Sequence, residues 1–215
     1  MNLLRRKAEI ICKLHKKEES YGELVQQLSQ LAGQPASAEE SVVKGKQFAM
    51  YMFELLSEYH LPQEQIVQNS QQFMGLFSES LKDTNVKVRA ATLKALSCFL
   101  TSIDEEDEVM KYQAMMPSLL DVVIQVLQSD EEEGTASLES LIEVTQAYAE
   151  VWTPCVEKLV FVCSEIMKNN AFEQAPRQSA LEIVSTLAES NPKLLRDRPE
   201  SLRKDFFPAI AVMMT

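Results

Sequence analysis

Two stretches of the chain, Arg89-Ala90-Ala91-Thr92-Leu93-Lys94-Ala95-Leu96-Ser97-Cys98-Phe99-Leu100 and Arg177-Gln178-Ser179-Ala180-Leu181-Glu182-Ile183-Val184-Ser185-Thr186-Leu187-Ala188, run through apolar and polar positions in the same order. Each has the i, i+3, i+4 recurrence of an amphipathic helix, so what repeats is a helix and not a strand. Leu141 and Val144 fit the same frame between them, Leu141 falling 48 residues after Leu93 and 40 before Leu181. Such intervals leave room for a second helix in each repeat. The chain then folds as stacked helix pairs, each burying its apolar stripes against the next.

The rest of the sequence agrees. With 5 glycines, 8 prolines and 7% aromatic residues there are few turn signals for many short strands, while 46% hydrophobic residues supply a buried interior. Helical spacing predicts helices near 3–17, 20–32, 41–59, 63–82, 86–102, 108–128, 136–150, 154–169, 176–189 and 200–214. Pro62, Pro154, Pro176 and Pro192 suit a first helical turn, where a missing amide hydrogen costs nothing, and Thr153 or Asn191 can cap the exposed amides.

Paired, these helices give units 20–59, 63–102, 108–150 and 154–189, with partial units 1–17 and 200–215, in a single array over 1–215. A period near 40 to 47 residues with two helices per unit is that of HEAT and armadillo arrays. The expected fold is all-α: a right-handed α-α superhelix of about five antiparallel HEAT-type pairs. Two first helices share an apolar pair followed by proline, Met115-Met116-Pro117 and Phe206-Phe207-Pro208. An interior proline costs ~3 kcal/mol, so each marks a bend or a helix start. In the turn Asp83-Thr84-Asn85-Val86-Lys87-Val88-Arg89, Asp83 is placed to cap the next helix and Arg89 to reach back to it.

A formal charge of -11 argues against a nucleic-acid surface, which relies on Lys and Arg displacing counterions, and favours basic protein partners. Cys12, Cys98, Cys155 and Cys163 sit in apolar helical patterns without a CxxC pair, and only His15 and His60 stand by as co-ligands. They read as reduced core thiols of a cytosolic or nuclear protein, with no metal and no cofactor. No apolar run reaches the ~18 residues needed to cross a bilayer. The basic amphipathic start lacks the apolar core of a signal peptide; an ordinary helix and a mitochondrial presequence both fit it. No glycine-rich phosphate loop, GxSxG or HExxH is present, and an enzyme is not expected.

At the proline of the first helix and the Asp and Arg about the turn, the sequence resembles the HEAT repeats of the importin-beta family of nuclear transport receptors. The stretch Leu76-Phe77-Ser78-Glu79-Ser80-Leu81-Lys82-Asp83-Thr84-Asn85-Val86-Lys87-Val88-Arg89 is similar to the importin-five-like branch, as are Leu138-Glu139-Ser140-Leu141-Ile142-Glu143-Val144, the stretch 177–189 and Ala211-Val212-Met213-Met214. The resemblance implies a fragment from the earlier repeats of a longer, monomeric import receptor moving between cytoplasm and nucleus through the nuclear pore. It also implies three kinds of partner: basic cargo proteins, the small GTPase Ran, and phenylalanine-glycine repeats of nucleoporins. The last would lie between neighbouring outer helices, where Val122, Val126, Phe161 and Ile166 are candidate flanks or core. Other readings are a HEAT scaffold, such as a phosphatase regulatory subunit or a vesicle-coat adaptor, and an unrecognised helical enzyme.

In importin-like arrays the second helix of each pair lines the concave face. Here the outward stripes on two such helices are Glu139, Glu143, Gln146, Glu150 and Gln178, Glu182, Ser185, Glu189. Side by side they read either as an acidic wall suited to basic partners or as solvated helix faces. The same side of the preceding second helix would carry Lys87, Lys94, Ser97 and Thr101, and is not acidic. The acidic runs 104–108 and 130–133 each precede a helix, where negative charge offsets the helix dipole; contact with a partner is the other reading.

Overall fold

The computed structural model describes residues 21–35, 39–58 and 62–214, and among these every regular element is helical. The predicted helix 3–17, Cys12, His15 and His60 lie outside the described residues. Contacts divide the chain into two compact units, one through Glu105 and one from Glu106, so the division falls in the acidic run between the expected units 63–102 and 108–150.

The first unit holds α1 (Tyr21–Ala32), α2 (Glu40–Glu58), α3 (Gln63–Gln68), α4 (Ser70–Ser80) and α5 (Val86–Thr101). The second helices of its pairs, α2 and α5, pack along each other, whereas the first helices α1 and α4 meet only briefly. Between the layers lies an aromatic cluster: Phe53 with Phe73 at 5.8 Å and Phe77 at 6.0 Å, and Phe99 with the same two at 5.1 and 5.4 Å. Rings at these separations add edge and offset contacts to the apolar area they bury. The single helix predicted over 63–82 is instead interrupted at Asn69, whose side-chain and backbone amides share the Gln65 carbonyl, at 2.8 and 3.1 Å. On α5, Lys87 is exposed, Lys94 and Thr101 are half-buried and Ser97 is buried, so the inner stripe expected there is open only at its amino end.

The second unit begins with α6 (Glu106–Met110) and a 3₁₀ turn (Gln113–Met115), then α7 (Met116–Ser129) and α8 (Glu131–Ala147). A 3₁₀ segment (Ala149–Cys155) leads to α9 (Val156–Lys168), α10 (Gln174–Ser190) and the short α11 (Pro192–Arg196). The last helix runs through α12 (Pro199–Ser201), a π-helical turn (Leu202–Phe206) and α13 (Phe207–Met213). The two apolar-apolar-proline motifs place their proline alike, in the first turn of α7 and of α13, but what precedes it differs. Pro117 follows a 3₁₀ turn, so the helix predicted over 108–128 is divided; Pro208 follows a π turn in which the Phe207 amide bonds back to Leu202. Pro154 falls in the 3₁₀ segment, and Thr153 donates to the Glu150 carbonyl instead of capping. Asn191 does cap α11, ahead of Pro192.

In this unit too the second helices, α8 and α10, pack lengthwise while α7 and α9 touch less. Leu141, Val144, Ile183, Val184 and Leu187 fill the seam, with Leu181 half-buried at its edge. Polar links join equivalent places in successive pairs: Gln72 to Ser29, 43 residues apart, Lys158 to the Pro117 carbonyl, 41 apart, and the Glu173 amide to Glu131, 42 apart. These separations match a HEAT period and exceed the 34 residues of a tetratricopeptide unit.

Candidate functional site

Asp130 ends α7 and starts α8 in one residue: its backbone is extended, and its carboxylate accepts from the Glu133 amide at 3.1 Å. The helix therefore begins at Glu131, five residues earlier than its apolar spacing predicts, and takes Glu131, Glu132 and Glu133 into its first turn, where their charge suits the dipole. Gly134 allows this. A Cβ there would lie 2.7 Å from the Leu127 Cα, so α8 crosses α7 at a distance only glycine permits.

With Leu138, Leu141 and Val144 facing the core, Glu139, Glu143 and Gln146 on α8 are exposed; on α10 so are Gln178, Glu182, Ser185 and Glu189. None of the carboxylates of Glu139, Glu143, Glu182 and Glu189 makes a hydrogen bond or ion pair with a described residue. Their charge is open to a partner. Glu150 differs from the other candidates: α8 ends at Ala147, and Glu150 lies in the 3₁₀ segment. Its carboxylate accepts from Asn191 and, at 3.1 Å, from Thr153, while its carbonyl accepts from Gln113 at 2.9 Å. It braces neighbouring pairs. At the amino ends of α8 and α10, Glu131, Glu132, Glu139 and Glu173 with Thr135 and Ala136 line a groove of about 610 Å³ that continues the same acidic face. Sequence reasoning missed this extension because it left the run 130–133 outside the helix.

The turn residues also have unexpected partners. Arg89 donates to the backbone carbonyl of Asp83, at 2.6 Å, and not to its carboxylate. That carboxylate accepts from the Asn85 amide at 2.8 Å and pairs with Lys46 at 2.7 Å, both side chains buried. The cap of α5 is Asn85, which accepts from the Lys87 amide at 2.9 Å. Arg177, the counterpart of Arg89, donates to the Met167 carbonyl at 2.9 Å. In both pairs the arginine thus satisfies a carbonyl where the first helix gives way to the turn.

On the side of the first helices, α7 and α9 leave a groove of about 340 Å³ lined by Ile124, Leu127, Val162, Ile166 and Phe172, with Gln128, Glu165 and Lys168 at its rim. Of the apolar candidates on these helices, Val122, Val126 and Ile166 are core, and Phe161 is 50% exposed. Burial pushes the Cys155 thiol up to about 11 and that of Cys163 up to about 12, so neither is a thiolate near neutrality. Among the described residues no His, Cys, Asp and Glu side chains gather as a metal-holding group, and no helix is long and apolar enough to cross a membrane.

Helix pairs repeating every forty or so residues, with close-packed second helices, define an α-helical repeat protein of the HEAT class. The family model "IPO5-like, TPR repeats" matches residues 6–162, and the chain belongs to this importin family of karyopherins. It is 22% identical over 143 residues to importin subunit beta-3 of Saccharomyces cerevisiae, a match covering 66% of this chain and 13% of that protein. Its fold matches the karyopherin Kap121p bound to the extreme C-terminus of the phosphatase Cdc14p, with TM-score 0.65 and 20% identity over 84% of this chain and 17% of the other. Kap121p bound to Nup53p matches over the same 84% and 16% of that chain, with TM-score 0.65 and 17% identity. Kap121p bound to the SUMO protease Ulp1p gives 0.66 and 20%, again over 84% and 16%.

Proposed function

We propose that this chain is part of a nuclear import receptor and that its α8–α10 face is a contact surface for basic partners, cargo segments or a basic face of Ran. The observation that carries this reading is the set of unpaired, exposed carboxylates of Glu139, Glu143, Glu182 and Glu189 on two helices packed side by side. Adjacent like charges raise the local negative potential, and a lysine-rich segment lying across both helices relieves it. Competition between cargo and the GTP form of Ran for such a face would couple loading to nucleotide state with no covalent step. Kap121p has been solved with a protein phosphatase, a SUMO protease and Nup53p, which supports protein partners for this relative. The apolar groove between α7 and α9 is the proposed seat for nucleoporin phenylalanine side chains. The protein would then work in cytoplasm, nucleus and pore.

Charge reversal tests the wall. The chain carrying Glu139→Lys, Glu143→Lys, Glu182→Lys and Glu189→Lys should keep its helical circular dichroism and lose at least about tenfold in affinity for a lysine-rich peptide at low salt. Unchanged affinity removes the face as a site. Pull-down with Ran loaded with GTP or GDP tests the receptor role; no preference between them by the chain within its longer parent counts against it.

A further inference from the structure

Two serines in this chain stand before acidic runs: Ser102, ahead of Asp104-Glu105-Glu106, and Ser129, ahead of Asp130-Glu131-Glu132-Glu133. The structure separates them. Ser102 is half-buried, its hydroxyl donates to the Phe99 carbonyl at 2.8 Å, its own carbonyl accepts from Gln63 at 2.8 Å, and the residue after it, Ile103, is 1% exposed. Ser129 ends α7 at the tip of a helical hairpin. Gln128, Ser129, Asp130 and Glu132 are exposed, Asp130 is extended with φ -154° and ψ 104°, and the Ser129 hydroxyl has no hydrogen-bond partner among the described residues.

We infer that Ser129 is a phosphorylation site for an acid-directed protein kinase, and that the phosphate tunes the acidic face. Kinases choose substrates by charge pattern, and a basic substrate groove matches a hydroxyl followed by four carboxylates. The Ser129 Oγ attacks the γ-phosphorus of a nucleoside triphosphate and gives up its proton to the kinase's base. One O–P bond forms, the bond to the nucleoside diphosphate breaks, and the diphosphate leaves. The product carries about -1.5 to -2 charges at neutral pH. These charges stand beside the first turn of α8, where Glu131 and Glu132 line the groove that continues the acidic face. This second step rests on the proposed function; the modification itself does not.

The full chain is incubated with a protein kinase that prefers acidic residues carboxyl-terminal to its target, verified on an acidic peptide, and read by intact mass and peptide mapping. One phosphoryl group on the peptide bearing Ser129 is expected, absent from Ser129→Ala, reduced in Glu132→Gln and unaffected by Ser102→Ala. No incorporation at Ser129, or equal incorporation at Ser102, overturns the site. The phosphorylated chain should then bind a lysine-rich peptide about two- to fivefold more tightly than the unmodified chain at low salt, the gap closing as salt screens it. Equal affinities in a chain that binds the peptide overturn the tuning and leave the wall standing. A chain that does not bind the peptide before or after phosphorylation overturns the wall and the tuning together, while mass still decides the site.

Discussion

The hairpin joining α4 to α5 and the one joining α7 to α8 reverse the chain by opposite means. In the first unit the reversal takes Leu81 through Asn85, and its polar groups are tied down by the buried Lys46–Asp83 pair and by Arg89 on the Asp83 carbonyl. In the second it takes Asp130 alone, with Gly134 pressed to the Leu127 backbone. One turn is held by charge drawn inside, the other by the absence of a side chain. The consequence is functional. The Asp83 carboxylate is drawn into its turn, whereas the α7–α8 reversal leaves Glu132 exposed on the groove, with Glu131 beside it accepting from the Glu173 amide.

The largest effect expected from this contrast is at Asp83. Removing one member of a buried ion pair strands the other, which costs about 3–5 kcal/mol. Asp83→Ala should therefore destabilise the first unit by that much in urea unfolding, with amide exchange rising in α2 and α5 first. A loss below about 1 kcal/mol would mean that the pair acts as a surface bridge and that the contrast between the turns is empty.

Lys46 also shows what the sequence withheld. Helical periodicity found the helix pairs because burial of one stripe is written at every third or fourth residue, and it placed Leu93 and Leu141 in the core, where both are fully buried. It also put Glu139, Glu143, Glu182 and Glu189 on outward stripes, because an exposed position is the complement of a buried one. A partner 37 residues away, as Lys46 is from Asp83, leaves no mark in local spacing. The start of α8 was misplaced for a related reason: a polar first turn looks like a loop until the Asp130 cap and the Gly134 contact are known. Glu150 fitted the stripe by number, but the helix had ended three residues before it.

In the second unit the next largest effect is at Thr145. Its hydroxyl donates to the Leu141 carbonyl at 2.7 Å and accepts from the indole N–H of the buried Trp152 at 2.9 Å. Thr145→Val keeps the shape and leaves the indole donor unmet, at about 1–3 kcal/mol; Thr145→Ser should recover most of it. If the valine variant matches wild type in urea, this bond does not hold the 3₁₀ segment against α8. Gly134→Ala comes next. Overpacking against Leu127 costs about 1–3 kcal/mol and the better helix former returns about 1, so the net loss should be modest. A gain in midpoint would show that the two helices separate freely and that glycine is not what closes this turn.

The smallest effect near neutral pH belongs to the buried thiols. Cys163 is pushed from 9.0 up to about 12, Cys155 up to about 11, and the Tyr112 hydroxyl is raised as well; burial is the largest cause in each, and all three lie in the second unit. An acid whose folded pKa is raised binds its proton more tightly when folded. Its contribution is therefore complete below about 9, where the unfolded thiol ionises, and is lost as pH climbs toward the folded value. Urea midpoints of the second unit should hold from pH 7 to 8 and fall between pH 9 and 11, as the unfolded chain alone gives up these protons. Cys163→Val removes one of these groups, so its midpoint should fall less steeply over that interval. A variant as steep as wild type would mean that Cys163 ionises as readily in the fold as in the open chain, and that the seam beside α9 is wetter than its packing requires.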